Sequence, residues 1–279
     1  TVLVDGSATV DAQTIYVEGL GNVYAGAAIG QGFNSYIDWD IIINGSASVQ
    51  AGAEETGAGI GGSMSYSSSV KLNIEIGDFA VVIASGGDYA AGIGAGYSLY
   101  TPASRTTISI GDYALVTASG GYYGAGIGTG KGAYSPNSGD ITISGSAIVT
   151  AIGGAYASAI GAGDGGKVAG TTTITAGTTI EAYADGTKFA IDIDTTGNGA
   201  VNVTDTVLNG RFAEDEDPPT DADDDPSPIN LLKDGNSDAD LTLPDDYRSF
   251  AVSASDGSGT IRVQDGESLN RYAYYTDTD

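Results

Sequence analysis

The chain has 279 residues, and its 36 acidic and 10 basic side chains give a formal net charge of −26. This balance argues against nucleic acids and anionic membranes as partners, because both are bound through Lys and Arg. The sequence contains neither Cys nor His, which excludes disulfides, thiolate sites, His-ligated metals and a His general base.

No apolar run reaches the roughly 18 residues that a membrane-spanning helix needs, so we expect no membrane insertion. The sequence starts at Thr1 without a signal peptide, and we expect a mature or excised fragment.

A short motif, Ala-Gly-Ile-Gly, recurs along the first two thirds of the chain. It stands at Ala58–Gly61, Ala91–Gly94 and Ala125–Gly128, with looser versions at Ala27–Gly30 and Ser158–Gly161. Its isoleucines are 31, 33, 34 and 33 residues apart. A period between about 20 and 50 residues indicates a repeat architecture. The isoleucines are Ile29, Ile60, Ile93, Ile127 and Ile160.

Further apolar columns align when the repeats are superimposed, and within each repeat they alternate with a period of two. One column contains Ile43, Ile76, Ile110, Ile143 and Ile174, and another contains Val49, Val82, Val116, Val149 and Ile180. A period of two with Ile, Val and Thr is typical of strands. Three short strands per repeat predict an all-β fold, a three-sided parallel β-helix with coils of about 33 residues. The alternative is a β-sandwich with a coincidental repeat.

The two ends of the repeat region depart from this pattern. The first coil carries an insertion, Gln13–Asn22, which predicts an N-terminal cap near residues 1–22, because a terminal repeat must cover an open core. The last coil is degraded and ends near Phe212. We therefore assign residues 1–212 to the β-helix.

The composition changes sharply after residue 212. Residues 213–228 contain eight acidic residues and several prolines, which is typical of a solvated linker. Beyond it, residues 229–279 contain three strand-like stretches, Arg248–Ala254, Thr260–Gln264 and Arg271–Tyr275. This segment is expected to form a small β module or a cap folded back on the helix.

The candidate ligand-binding residues are Tyr89, Tyr123 and Tyr156, each four positions before the repeated Ile in three consecutive coils. If these rings face outward, they form an aromatic strip that suits the apolar C–H faces of sugar rings. If they stack on one another, they form a structural ladder. Tyr97, Tyr100, Tyr122 and Tyr134 lie close by in the sequence.

The evidence for a metal or for catalysis is weaker. Asp192-x-Asp194 begins like a calcium loop, but Val203 stands where a bidentate Glu is required. The acidic linker could gather calcium loosely, and we predict no dedicated cofactor. A paired-carboxylate mechanism needs two acids at a fixed separation, whereas Glu75, Asp140 and Glu181 stand alone in their columns.

The repeat unit Ala118–Thr150, ASGGYYGAGIGTGKGAYSPNSGDITISGSAIVT, resembles the Gly-rich GAGIG repeats of large bacterial surface proteins, which are labelled adhesin-like or carbohydrate-binding-like. The resemblance covers roughly Asp40–Ile191 and rests on GAGIG followed by ITISG and an Ala/Val strand. It implies a right-handed β-helix outside the cell, at the surface or secreted, and a role in adhesion or glycan binding. It supplies no catalytic residues.

Three functions follow as expectations. The first is a non-enzymatic cell-surface module that binds polysaccharide, a surface glycan or a protein ligand on another cell through the tyrosines and loops. The second is a structural stalk or spacer of a surface protein. The third is a polysaccharide lyase or hydrolase.

Overall fold

The computed structural model describes the backbone of most of the chain up to residue 212 and of four later strands. The described residues are 1–14, 25–33, 35, 37–64, 71–98, 105–132, 138–166, 168, 170–175, 178–184, 191–192, 200–203, 207–212, 228–233, 238–242, 249–255 and 260–264. The predicted cap Gln13–Asn22 and the linker 213–228 lie mostly outside these residues, and the predicted strand Arg271–Tyr275 lies entirely outside them.

The strands form three sheets that together make a parallel β-helix, as the periodicity predicts. The first sheet contains Val2–Val4, Trp39–Ile43, Lys71–Ile76, Arg105–Ile110, Ser138–Ile143, Thr171–Ile174 and Ala200–Val203. The second contains Thr9–Gln13, Ser48–Gly52, Val81–Ser85, Leu115–Ser119, Ile148–Ile152, Thr179–Ala184, Val207–Phe212, Ser249–Ser255 and Thr260–Gln264. The third contains Ile29–Gly30, Ile60–Gly61, Ile93–Gly94, Ile127–Gly128, Ile160–Gly161, Ile191–Asp192, Pro228–Lys233 and Asp238–Thr242.

The register between coils confirms the predicted columns. Ile76 pairs with Ile110, Val82 with Val116, and equivalent positions pair in the neighbouring coils. The inward side chains are almost completely buried and form one continuous core along the helix axis. Because strands in one sheet lie about 4.8 Å apart, each inward side chain packs directly on the equivalent side chain of the next coil. Among the described residues, no helix long and apolar enough to cross a membrane is present.

The backbones of successive coils approach each other closely in the third sheet. In five consecutive coils, the second residue of the two-residue strand is Gly. Its φ lies between +123° and +137°, a region that favours glycine. A Cβ at Gly94 would lie 2.0 Å from the carbonyl oxygen of Gly128. The last Gly of the Ala-Gly-Ile-Gly motif is therefore required both by backbone conformation and by contact between coils.

The later strands extend the same sheets. Pro228–Lys233 pairs in parallel with Ile191–Asp192 in the third sheet and antiparallel with Asp238–Thr242. In the second sheet, Ser249–Ser255 pairs antiparallel with Val207–Phe212 on one side and with Thr260–Gln264 on the other. The direction of pairing thus changes from parallel to antiparallel at this end of the solenoid.

The outer face of the second sheet carries apolar side chains. Val81, Leu115 and Ile148 are paired in register in three consecutive strands, and all three are exposed. Beside them, the rings of Phe79 and Tyr113 stack at 5.2 Å with an interplanar angle of 5°. These outward positions were not anticipated, because alternation identifies the inward residues of a strand but does not dictate what faces solvent.

Candidate functional site

The candidate site lies in the segments that connect the second sheet to the third. In neighbouring coils these segments are hydrogen-bonded to each other: the Tyr89 N–H donates to the Glu55 carbonyl at 2.9 Å, and the Tyr123 N–H donates to the Asp88 carbonyl at 2.8 Å. Glycines allow the close approach, since a Cβ at Gly121 would lie 1.9 Å from the Gly87 carbonyl oxygen. Equivalent side chains are therefore held one coil apart.

Tyr89, Tyr123 and Tyr156, which we call the Tyr column, stack on one another. The ring centroids are 5.3 Å apart for Tyr89 and Tyr123 and 5.4 Å apart for Tyr123 and Tyr156, with interplanar angles of 13° and 19°. Tyr89 and Tyr123 are half-buried, and Tyr156 is 44 % exposed. The column thus forms the ladder that the sequence allowed, and it still reaches solvent.

Two further tyrosines join the column. The Tyr122 ring meets Tyr123 edge to face at 4.8 Å and Tyr156 at 5.2 Å, and the Tyr97 ring lies 5.2 Å from Tyr89. Edge-to-face and offset contacts are the favoured arrangements of aromatic pairs. Tyr100 and Tyr134, which the sequence also places nearby, lie outside the described residues.

Three of the loops that follow strands of the third sheet fold back over the preceding coil. Three residues, Tyr97, Lys131 and Asp164, stand four positions after Ile93, Ile127 and Ile160. Their backbone N–H groups donate to the carbonyls of Thr56 at 3.3 Å, Tyr89 at 2.8 Å and Tyr123 at 2.9 Å, respectively. These bonds place the three side chains beside the Tyr column.

Lys131 and Asp164 bring opposite charges to the column. The Lys131 Nζ lies 3.7 Å from the centroid of the Tyr123 ring and 2.9 Å from the Asp164 Oδ2. We call the Tyr column together with Tyr97, Tyr122, Lys131 and Asp164 the Tyr cluster. It combines ring edges, phenol hydroxyls, an ammonium and a carboxylate.

Burial and charge act in opposite directions on Lys131. Partial burial by itself lowers the pKa of this ammonium, but its hydrogen bond to Asp164 and the charge of that carboxylate outweigh burial and raise the pKa above its ordinary value. A raised pKa in the folded state stabilises the fold below the unfolded pKa, and that contribution is lost as pH rises through the folded value. Lys131 is therefore an ammonium throughout the neutral range.

Sequence reasoning did not identify Lys131 or Asp164 as site residues. Their common spacing from the repeated Ile was a usable signal, but the side chains at this position differ from coil to coil. Only the loop geometry shows that both lie against Tyr123.

The carboxylates considered for catalysis have local structural contacts. Asp140 Oδ1 accepts a hydrogen bond from the Thr171 N–H at 2.9 Å, and Glu181 Oε2 accepts one from the Tyr183 hydroxyl at 2.8 Å. Glu75 is exposed on the first sheet, where Ile42 and Ser109 flank it on the adjacent strands. Within the described part of the chain, no group of three or more Asp or Glu side chains could hold a metal ion. Most of the calcium-like segment after Asp192 lies outside that part.

A comparison of the chain with protein-family models, curated proteins and solved structures finds no match.

Proposed function

We propose that this chain is a non-enzymatic binding module of a cell surface or of a secreted protein, and that it recognises polysaccharide through the Tyr cluster. The observation that carries the proposal is the cluster itself: five tyrosines in mutual contact, half-buried to exposed, with an ammonium and a carboxylate at their side. Aromatic rings beside polar groups give a ligand both apolar contact and hydrogen bonds.

The stacking determines how a sugar chain would be contacted. Tyr123 lies between Tyr89 and Tyr156 and also carries the Lys131 ammonium over its ring, so little of either ring face is open to a sugar while Lys131 is in place. The column would therefore meet a polysaccharide with ring edges and hydroxyls, repeated every 5.3 to 5.4 Å along the helix axis. The exposed Tyr122 and Tyr156 provide the apolar contact. A glycan lying along the axis would meet equivalent groups in each coil.

The test is binding to a glycan array and to insoluble polysaccharides, with the wild type beside a Tyr89→Ala/Tyr123→Ala/Tyr156→Ala variant. The matched control is Phe79→Ala/Tyr113→Ala, which removes a stacked pair from the turns that precede the second sheet and leaves the Tyr cluster intact. We expect the triple variant to lose at least tenfold in affinity and the control to bind like the wild type.

Folding controls and two defined negative outcomes make this test decisive. Circular dichroism and thermal unfolding establish that each variant is folded, and Tyr122→Ala/Tyr156→Ala serves as a milder variant if the triple one is not. Binding that survives in both would move the site to the loops. If no glycan binds the wild type, the polysaccharide proposal is wrong and a protein ligand on another cell becomes the better hypothesis.

A structural stalk is the second candidate, and one observation favours it. Ring-on-ring stacking and the unbroken core both link successive coils, as a rigid spacer would require. If the chain is a stalk, we expect high resistance to proteases and to pulling force. This resistance should not change when the Tyr hydroxyls are removed. Tyr→Phe variants at positions 89, 123 and 156 separate the two roles, since they keep the stacking and remove the hydroxyls.

A further inference from the structure

The Tyr cluster already holds a cation, namely the ammonium of Lys131. Its Nζ lies over the Tyr123 ring and makes an ion pair with Asp164, so the aromatic face and the carboxylate act on one positive charge. An aromatic ring combined with a carboxylate is an arrangement that attracts ammonium groups from solution as well. Tyr123 and Asp164 thus form a cation site that is occupied by a lysine of the same chain.

The fold does not require a lysine at this position. The equivalent residues of the neighbouring coils are Tyr97 and Asp164, and both make the same backbone hydrogen bond to the preceding coil. The Lys131 side chain is 30 % exposed and ends on a flexible four-carbon stem, so it can move into water without disturbing the coil. The backbone contacts of this loop therefore do not depend on a lysine side chain.

The surrounding charge also favours a cation. Asp88 is exposed beside the Tyr column, Asp164 is half-exposed, and the chain as a whole carries a net charge of −26. Charge of this sign attracts cationic ligands and repels polysaccharides that carry carboxylates or sulfates. Among glycans, those with free amino groups are the class that this field selects.

From these contacts we propose that the Tyr cluster binds an unacetylated amino sugar, whose ammonium takes the place of Lys131 against Tyr123 and Asp164. The inference rests on the proposed function and specifies its ligand class. In the bound state, Lys131 swings into solvent, the ligand ammonium pairs with Asp164, and the sugar ring contacts the exposed Tyr122 and Tyr156. Because the lysine competes with the ligand, the wild type binds more weakly than a chain without it.

The test is calorimetric titration with glucosamine oligomers, N-acetylglucosamine oligomers of equal length, and tetramethylammonium. Lys131→Met keeps the aliphatic stem and removes the competing charge, and Asp164→Asn removes the counterion. Lys71→Met, on the exposed face of the first sheet, is the matched control. We expect Lys131→Met to bind glucosamine oligomers and tetramethylammonium on the order of tenfold more tightly than the wild type, and the Lys131→Met/Asp164→Asn double variant to lose this gain.

The results separate the ligand class from the proposed function. Equal binding of acetylated and unacetylated oligomers by every variant would overturn the amino-sugar inference and leave glycan binding standing. Tighter binding of tetramethylammonium alone would show a cation site and overturn the glycan part. A Lys131→Met chain that binds glucosamine oligomers no more tightly than the wild type would overturn the idea that Lys131 occupies the site.

Discussion

Gly94 and Tyr89 lie five residues apart in one coil, but different kinds of neighbour determine the two positions. At Gly94, the backbone of the next coil leaves no room for a Cβ, and the same glycine recurs at the paired positions. At Tyr89, the backbone hydrogen bonds leave the side chain free to differ: its ring stacks on Tyr123, and the equivalent residue of the preceding coil is Thr56. Where the neighbouring backbone leaves no room for a side chain, the same residue must recur in every coil. Where side chains contact each other, the residue can differ between coils and can carry chemistry specific to this chain.

The largest effect is expected where the backbone sets the residue. Gly94→Ala introduces a Cβ at φ +136° and within 2.0 Å of the Gly128 carbonyl oxygen, so strain and overlap add. We expect a loss of roughly 3 kcal/mol or more in the free energy of unfolding, measured by chemical denaturation.

Gly32→Ala is the matched control, since nothing lies within 4 Å of a Cβ there and its φ is not in the positive region. Its unfolding midpoint should stay close to that of the wild type. A Gly94→Ala chain that is as stable as Gly32→Ala would contradict the assignment of the third sheet as backbone-limited.

A smaller effect is expected in the Tyr column. Tyr123→Leu removes two stacked contacts, one edge contact and the Lys131 cation–π contact, so we expect a loss of roughly 1–3 kcal/mol in the free energy of unfolding. Tyr113→Leu removes a single stacking contact, the one with Phe79. These two residues are 62 % and 61 % exposed, respectively. The cost of Tyr113→Leu should be about 0.5–1 kcal/mol.

Tyr123→Phe completes this series, because it preserves the stacking and deletes only the hydroxyl. Its unfolding curve should overlay that of the wild type. If Tyr123→Leu and Tyr113→Leu lower the free energy of unfolding equally, then the additional contacts and greater burial of Tyr123 do not contribute to stability.

The smallest effect is expected on the outer face of the second sheet. Leu115→Thr replaces an exposed side chain with another strand former, so the free energy of unfolding should change by less than about 0.5 kcal/mol. Val116→Thr, one residue along the same strand, buries a hydroxyl among Val82 and Val149 and should cost about 1–3 kcal/mol. Thermal unfolding of the two variants side by side tests the inward and outward assignment; similar midpoints would contradict it.

The sequence was sufficient to predict the solenoid because its core is repetitive. Inward Ile and Val residues of the central coils mostly meet a residue of the same type in the next coil, as Val116 meets Val149, so one aligned column specifies one ladder; Ile141 opposite Thr172 is an exception. The antiparallel pairing of Ser249–Ser255 was not predicted, because no column continues into that part of the chain.

The contact between Lys131 and Tyr123 could not be derived from the sequence. It depends on how the loop after Ile127 folds back across the preceding coil, and the loops after the repeated Ile differ in length and composition. The Tyr column itself was predictable from its constant spacing. What the spacing could not decide was how far each ring is buried, which depends on those same loops.

The register between coils restricts how such a chain can change its length. A duplication or deletion of one whole period leaves every remaining strand facing a matching edge, and one more Tyr-bearing coil would lengthen the Tyr column by one ring. An indel of a single residue within a strand would instead turn the Ile side chains beyond it towards solvent. Tandem duplication in steps of 33 or 34 residues is thus a route by which the length of the Tyr column can be altered without rebuilding the core.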